Sequence, residues 1–246
     1  MSHSISVLFP AFNDAGTIAS MVLCARRTLR QLACDYEILV VDDGSRDGTG
    51  FILEELKQVV PELRVICHET NRGYGAALAS GFRGAQKDLV FYTDGDAQFD
   101  PRELPLLVRE LHAEIDFVSG YRKRRADPFF RVLLGNPYHR LVRAAFGLKL
   151  RDIDCDFRLF RRHVLAGIEL SQSDGSMCIE LLRKLDVSGF RFAEVPVRHY
   201  PRVYGRSQYF TLRGVLGSYL QLFRLWVRLV IRKEPLPSLA AIPRQE

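Results

Sequence analysis

Two aspartates separated by one glycine, Asp94 and Asp96, close the apolar run "DLVFYT" in the stretch "FYTDGDAQFDP". Carboxylates this close repel one another, and a bound cation offsets that cost. In an extended or turning segment, positions i and i+2 can both approach one divalent ion. Mg2+ or Mn2+ suits such a pair, since both prefer oxygen ligands and share them with substrate phosphates. A lone Asp-x-Asp reads more readily as a turn. Here a second acidic cluster, Asp42 and Asp43 in "VVDDGS", also ends an apolar run, and "PAFND" (Pro10, Ala11, Asn13, Asp14) ends a third. A nucleotide needs partners of these kinds: a carboxylate for ribose or base, and a metal to neutralise a diphosphate.

The elements that must position these residues follow from the hydrophobic pattern. Strand-type runs occur at "SISVLFPAF", "YEILVVDDGS", "LRVICHE", "DLVFYTDGD" and "IDFVSGY". Between them, residues 17–33, 50–60, "GYGAALASGFRGA" and 101–112 carry helical spacing. Strands apolar on both faces that alternate with helices predict an α/β fold, a mostly parallel sheet covered on both sides. Ligands bind such sheets beyond the carboxyl ends of the strands, which is where the acids lie.

Composition sets the context. The 246 residues suffice for one domain with appendages. Five scattered cysteines without a CxxC argue against a disulfide framework or a zinc site, and for a reducing cytoplasm. The N-terminus reaches Pro10, Asn13 and Asp14 too early for a signal peptide, and no apolar run is long enough to predict a membrane span. Charge is uneven: residues 122–162 hold twelve Lys/Arg against four Asp, and residues 198–232 hold seven Arg and no acid. Such basic blocks predict an anionic partner, be it nucleic acid, a phosphorylated small molecule or a membrane surface.

"VLFPAFND", "ILVVDDGSRDGT", "NRGYGAALASGF" and "DLVFYTDGDAQFDP" resemble, in order, the motifs of family 2 glycosyltransferases with the GT-A fold. "SGYRKRRADPFFR", "LRDIDCDFRLFRR" and "HYPRVYGRSQY" resemble the branch of dolichol-phosphate mannose synthase and bacterial polyprenyl-phosphate glycosyltransferases. The similarity spans roughly residues 4–210. It implies inverting transfer of a hexosyl group from a nucleotide sugar, GDP-mannose or a UDP-sugar, to a dolichyl or undecaprenyl phosphate. It implies Pro10, Ala11, Asn13, Asp14, Asp43, Arg72, Asp94, Gln98, Arg202 and Ser207 around the donor, and Mg2+ or Mn2+ on Asp94 and Asp96. Asp96, Arg122 and Arg131 would carry catalysis, the arginines by binding the acceptor phosphate. The family often has Glu at the position of Asp14, Ser at that of Gly135 and Gly at that of Asp156.

The acceptor class can be argued from chemistry. A sugar hydroxyl acceptor needs a carboxylate base. A phosphate monoester, with a second pKa near about 6, is already ionised and needs positioning cations. The arginine-rich 122–162 block fits the latter, and Glu180, at helical spacing in "MCIELLRKL", is the nearest candidate base but reads as structural or pocket-lining.

A helical wheel from Leu212 gathers Val215, Leu216, Tyr219, Leu220, Phe223, Trp226, Val227 and Val230 on one face, with Arg213, Gln221, Arg224, Arg228 and Arg232 opposite. That pattern predicts an amphipathic interfacial helix, or one packed on the core. The expected organisation is a catalytic domain over 1–210, a membrane-associated helix over 211–232 and a disordered tail over 233–246. The protein would then sit in the cytoplasm, peripheral at the inner face of the membrane, with no nucleic acid partner. Rival readings are a family 2 enzyme with a sugar acceptor in cell-wall or polysaccharide synthesis, a nucleotidyltransferase, and a non-catalytic nucleotide-sugar or membrane-binding module.

Overall fold

The computed structural model describes residues 3–123, 139–205 and 212–234. Its elements run β1 (Ile5–Ala11), α1 (Ile18–Gln31), β2 (Tyr36–Asp42), α2 (Thr49–Val59), β3 (Leu63–Cys67), α3 (Tyr74–Gly84) and β4 (Leu89–Thr93). A 3-10 turn (Pro101–Glu103) leads into α4 (Leu104–Glu110), then β5 (Phe117–Arg122). After a helical stretch over residues 139–146 come β6 (Phe157–Arg161), α5 (Arg162–Ala166), α6 (Ser176–Val187), β7 (Phe192–Val197) and α7 (Leu212–Trp226). A π-helical turn, Val227–Ile231, extends α7.

The described strands form one seven-stranded sheet in the order β3-β2-β1-β4-β6-β5-β7. β1 pairs in parallel with β2 and β4, and β2 with β3. β6 runs antiparallel to both neighbours, β4 and β5, and β5 pairs in parallel with β7. The strands and helices read from sequence in the first half are all present. β6 and β7 come in addition. β6 was hidden because its alternation is broken by Arg158, a charged residue fully buried in the sheet.

Each face of the sheet carries its own core. On one, Val7, Phe9, Ile38 and Val40 pack with Ile18, Val22 and Leu29 of α1, Leu53 of α2 and Leu107 of α4. On the other, Leu8, Leu39, Tyr92 and Phe160 pack with Leu78 of α3, Leu182 of α6 and the C-terminal helix. Burial on both faces is why these strands read as continuous apolar runs. α3 comes so close to β1 that a Cβ on Gly81 would clash with Leu8.

α7 and its extension pack inward through Leu222, Leu225 and Leu229, all buried. Trp226 Nε1 donates to the Ala145 carbonyl at 2.8 Å. Trp226 and Val230, read from the helical wheel as part of a membrane face, pack against the core. The seam differs from the wheel because the helix is apolar on two sides, and the sequence does not rank them. Tyr219, Leu220, Phe223 and Ile231 stay exposed. Among the described residues, no helix is long and apolar enough to cross a membrane. The side chains of Val215 and Leu216, and residues 235–246 of the expected tail, lie outside what the structure describes.

Candidate active site

The carboxyl ends of β1, β2 and β4 meet at one edge, and the loops beyond them are sewn together by side chain to backbone hydrogen bonds. Asn13 N donates to Ser45 Oγ (2.9 Å), Arg46 N to Asn13 Oδ1 (2.8 Å), Asp14 N to Thr49 Oγ1 (3.0 Å) and Ala15 N to Asp47 Oδ2 (3.1 Å). The polar residues of "DGSRDGT" therefore brace the "PAFND" loop. Asn13 takes a positive φ of 57°, a conformation asparagine tolerates better than most residues.

Gly95 lets the "DGD" turn press against β1. A Cβ there would stand 3.2–3.5 Å from Ile18 Cδ1, the Pro10 carbonyl and Asp14 Oδ2. Gly95 N donates to the Pro10 carbonyl at 3.4 Å. Ala97 completes the turn at φ 61°, a strained value for a residue with a Cβ and of a kind that collects at functional sites. Asp14, Asp94 and Asp96 thus converge.

Each carboxylate has a distinct setting. Asp94 Oδ1 accepts from Tyr74 OH at 2.8 Å. Burial, then the negative charge of Asp156, pushes the Asp94 carboxyl well above the usual range. Asp14 Oδ2 accepts from Phe12 N at 3.1 Å, and burial above all raises its pKa to about 6. Asp96 is 3% exposed. Its Oδ1 accepts from Gln98 N at 2.9 Å, while its buried Oδ2 accepts no hydrogen bond. An Arg202 guanidinium nitrogen stands 2.5 Å from that Oδ2, as an ion pair out of line for a hydrogen bond. Among the described residues no three acids, histidines or cysteines cluster as a complete metal site; the buried Asp96 oxygen without an aligned donor fits instead a hard divalent ion that draws its remaining oxygen ligands from substrate phosphates.

Not every residue expected around the donor faces an open site. Asp43 is spent internally: Oδ1 takes His68 Nδ1 (2.6 Å) and Arg72 N (2.9 Å), and Oδ2 takes Gly73 N (2.8 Å). It holds the 72–73 backbone that leads into Tyr74. Arg72 itself is exposed. Pro10 and Ala11 are buried in β1. Gln98 Nε2 lies 3.3 Å from both His199 Nε2 and the Tyr200 carbonyl, tying the "DGDAQ" turn to the segment that carries Arg202. Arg122 grips Asp152 with two hydrogen bonds of 2.7 Å, both side chains nearly buried. Arg131, Gly135 and Ser207 lie outside the described residues.

Glu180, the candidate base, is fully buried and saturated. It accepts from the backbone N of Ser171 and Gln172, from Ser171 Oγ and from Arg228, and pairs with Lys184 at 3.0 Å. It fixes the 171–175 loop, whose Ser173 carbonyl accepts from Gly75 N at 2.8 Å, and it ties the C-terminal helix to that loop. Its role is structural.

Asp156 is the carboxylate whose role the sequence left open. Cys178 Sγ donates to its Oδ1 at 3.2 Å, and Arg158 NH1 pairs with it at 3.4 Å. Burial raises its pKa. Arg158 is anchored by Ser119 Oγ (3.2 Å), the Ile153 carbonyl (2.7 Å) and a short contact to Tyr92 OH. The signal that would have found Asp156 is strand pairing between segments more than sixty residues apart, which no local pattern carries.

A family model described as "Glycosyl transferase family 2" matches residues 6–168. Undecaprenyl-phosphate 4-deoxy-4-formamido-L-arabinose transferases of Proteus mirabilis (strain HI4320) and Enterobacter sp. (strain 638) are 32% and 30% identical over 213 residues. Those stretches cover 86% of this chain, which spans 64% of the length of these relatives. Among solved structures, glucosyl-3-phosphoglycerate synthase of Mycobacterium tuberculosis with phosphoglyceric acid matches 92% of this chain and 79% of its own, at a TM-score of 0.70 and 22% identity. Its complex with Mn2+, UDP and glucosyl-3-phosphoglycerate matches at 0.66 and 20%, covering 96% and 82%. At such identities the likeness speaks for the fold alone, and the expected GT-A architecture stands.

Proposed function

The chain belongs to glycosyl transferase family 2, and we propose that it moves a hexosyl group from a nucleotide sugar, GDP-mannose or a UDP-sugar, to a polyprenyl phosphate. The observation that carries this reading is the pair Asp94 and Asp96 just beyond the carboxyl end of β4, with a buried Asp96 oxygen that accepts no hydrogen bond. Asp94 and Asp96 would hold Mg2+ or Mn2+. When bound, that ion supplies electrostatic stabilisation to the departing nucleoside diphosphate. The Mycobacterium neighbour crystallised with Mn2+ and UDP has a fold of the same kind, and the curated relatives are named for transfer to undecaprenyl phosphate.

The chain's own residues would do the rest. The braced Asn13–Asp14 loop lines the nucleotide side. Tyr74 fixes the orientation of Asp94, and Gln98 that of Asp96. Arg202 and Ser207 would meet the diphosphate. An ionised phosphate acceptor needs no proton removed, so attack from the face opposite the leaving group gives inversion without a protein base. Arg131 and Arg122 are the proposed acceptor cations, Arg122 in the company of Asp152. The exposed Tyr219, Leu220, Phe223 and Ile231, beside Arg224 and Arg232, offer a surface for a lipid bilayer. That would make the enzyme peripheral, on the cytoplasmic side of the membrane.

A second reading rests on Asp156. A carboxylate beside Asp94 could act as the base that a sugar hydroxyl acceptor requires, and no such group was evident in the sequence.

The test is transfer itself. Protein incubated with undecaprenyl phosphate or dolichyl phosphate and a panel of labelled nucleotide sugars should make one label soluble in organic solvent. EDTA and Asp96→Ala should each abolish that transfer. Full activity in EDTA would overturn the metal assignment, and transfer only to a sugar acceptor would overturn the lipid-phosphate assignment.

A further inference from the structure

Residues 198–205 form a strap alongside the "DGD" turn, and it is tied down at both ends. At one end Arg198 N donates to Glu103 Oε2 at 2.9 Å. In the middle Tyr200 N donates to the Gln98 carbonyl at 2.9 Å, with Gln98 Nε2 reaching back to the Tyr200 carbonyl. At the other end the Tyr204 ring lies so tightly on the backbone at Gly16 that a Cβ there would overlap the ring. Arg202 sits between these anchors, and its guanidinium reaches down to Asp96 Oδ2. The strap thus runs from the 3-10 turn, over the "DGD" turn, to the entrance of α1.

That geometry sets two cations in competition. Asp96 is almost wholly buried, so its charge cannot be left bare, and Arg202 compensates it. A divalent ion on Asp96 needs the same oxygen and would be repelled by the guanidinium. The ion pair is not aligned as a hydrogen bond, and the arginine is one-third exposed. A stronger partner can therefore draw it away. A diphosphate is such a partner, because a guanidinium matches phosphate oxygens in a planar fork.

We propose that Arg202 is the resident counter-cation of the metal site: it holds the strap shut on Asp96 until a nucleoside diphosphate group takes it over, so that divalent ion and nucleotide enter as a coupled pair and neither binds well alone. The inference rests on Asp94 and Asp96 being the metal ligands. It gives Arg202 two successive partners, a carboxylate in the empty protein and a phosphate in the loaded one. Free metal alone would be a poor ligand, which protects the buried carboxylates from being filled without a donor.

The experiment is Mn2+ binding to the full chain, read from the electron paramagnetic resonance signal of free Mn2+, with and without UDP or GDP. Wild type, Arg202→Gln and Tyr204→Ala are compared. Without nucleotide, Arg202→Gln should bind Mn2+ about tenfold more tightly than wild type, and Tyr204→Ala, which unpins the strap, should lie between them. In wild type the nucleotide that binds should tighten Mn2+ by a factor within the roughly 5–150-fold range usual for coupled sites. In Arg202→Gln that factor should shrink, since both the competitor and the phosphate partner are gone. Equal Mn2+ affinity of wild type and Arg202→Gln without nucleotide, together with tighter binding in its presence, overturns the counter-cation role and leaves the metal site standing. Absence of Mn2+ binding under every condition overturns both.

Discussion

Asp156 lies one step beyond Phe157, the residue that pairs with Thr93, so the antiparallel β4–β6 ladder brings it across from Asp94. The charge of Asp156 is the largest influence raising the Asp94 carboxyl after burial. A second acid beside the "DGD" pair bears directly on what the acceptor is.

Asp156→Asn separates the two acceptor classes. If the acceptor is a phosphate, ionised before it arrives, turnover should fall by less than about tenfold, because no proton is taken in the transition state. If the acceptor is a hydroxyl and Asp156 is its base, turnover should fall by about 10²–10⁴-fold. The measurement is kcat with whichever acceptor takes up the label, beside donor KM as a control. A collapse of kcat with undecaprenyl phosphate would show that the phosphate acceptor is not self-sufficient.

Asp14 makes a prediction about pH. Its carboxyl is raised from 3.8 to about 6, chiefly by burial. The folded protein then holds that proton more tightly than the unfolded chain. The stability this contributes is complete below pH 3.8 and is lost as pH rises through about 6. The loss corresponds to roughly 3 kcal/mol by proton linkage, an order of magnitude. Asp14→Asn in EDTA should therefore gain on wild type between pH 4 and 6 and keep that gain at pH 7. Urea unfolding of both proteins at pH 4, 5, 6 and 7 measures the difference. A difference that does not change with pH removes Asp14 as the cause.

The acidic edge was legible in the sequence because apolar runs end abruptly in charge at Asp42, Asp94 and Asn13–Asp14, and a sheet with both faces buried produces such runs. What each acid does was less legible. Asp43 has the type and position of a ligand, yet it is consumed by His68 and the backbone of Arg72 and Gly73. Residue type is the same for a carboxylate that binds a substrate and one that braces a loop. Asp156 and Arg202 reach the site from far along the chain, through strand pairing and a strap, so spacing near the "DGD" motif could not reveal their partners. β6 was masked by its buried arginine. The helical wheel of α7 found the apolar residues but could not tell core from surface when both sides are apolar.

The two sides of α7 should separate by experiment. Leu225 is buried in the seam, and Leu225→Ala should cost about 2–5 kcal/mol of unfolding free energy. Leu220→Ser with Phe223→Ser removes exposed side chains and should shift stability by no more than about 0.5 kcal/mol each. The same double substitution should release the protein from anionic vesicles. Sedimentation with phosphatidylglycerol vesicles and urea unfolding give the two readouts. Undiminished sedimentation of the double variant would dismiss this stripe as the membrane contact.

Arg122 and Arg131, given one role by resemblance, should part company. Arg122 is locked to Asp152 through two hydrogen bonds in a nearly buried setting. Arg122→Ala removes a guanidinium and its two hydrogen bonds from the nearly buried Asp152 carboxylate, and breaking such a buried pair typically costs about 3–5 kcal/mol of stability. Much of any activity loss in that variant should track the loss of folded protein. Arg131 belongs to the basic and aromatic stretch "RKRRADPFFR", which fits a lipid headgroup. Arg131→Ala should leave the unfolding midpoint unchanged and weaken use of the lipid phosphate by the equivalent of about 2–5 kcal/mol, the penalty for removing one partner of a desolvated pair. Donor binding and slow hydrolysis of the nucleotide sugar by water should survive, since neither uses the acceptor subsite. Arg131→Lys should recover only part of the loss, because one ammonium cannot reproduce the planar fork of a guanidinium. Steady-state kinetics with each substrate varied separately, beside unfolding curves, decides the matter. If the lipid-phosphate dependence of Arg131→Ala is unchanged, or if donor affinity falls instead, Arg131 does not hold the acceptor. If Arg122→Ala keeps full stability and loses only the acceptor, its pairing with Asp152 is exchanged for the phosphate when substrate binds, and Arg122 regains the role that the resemblance implied.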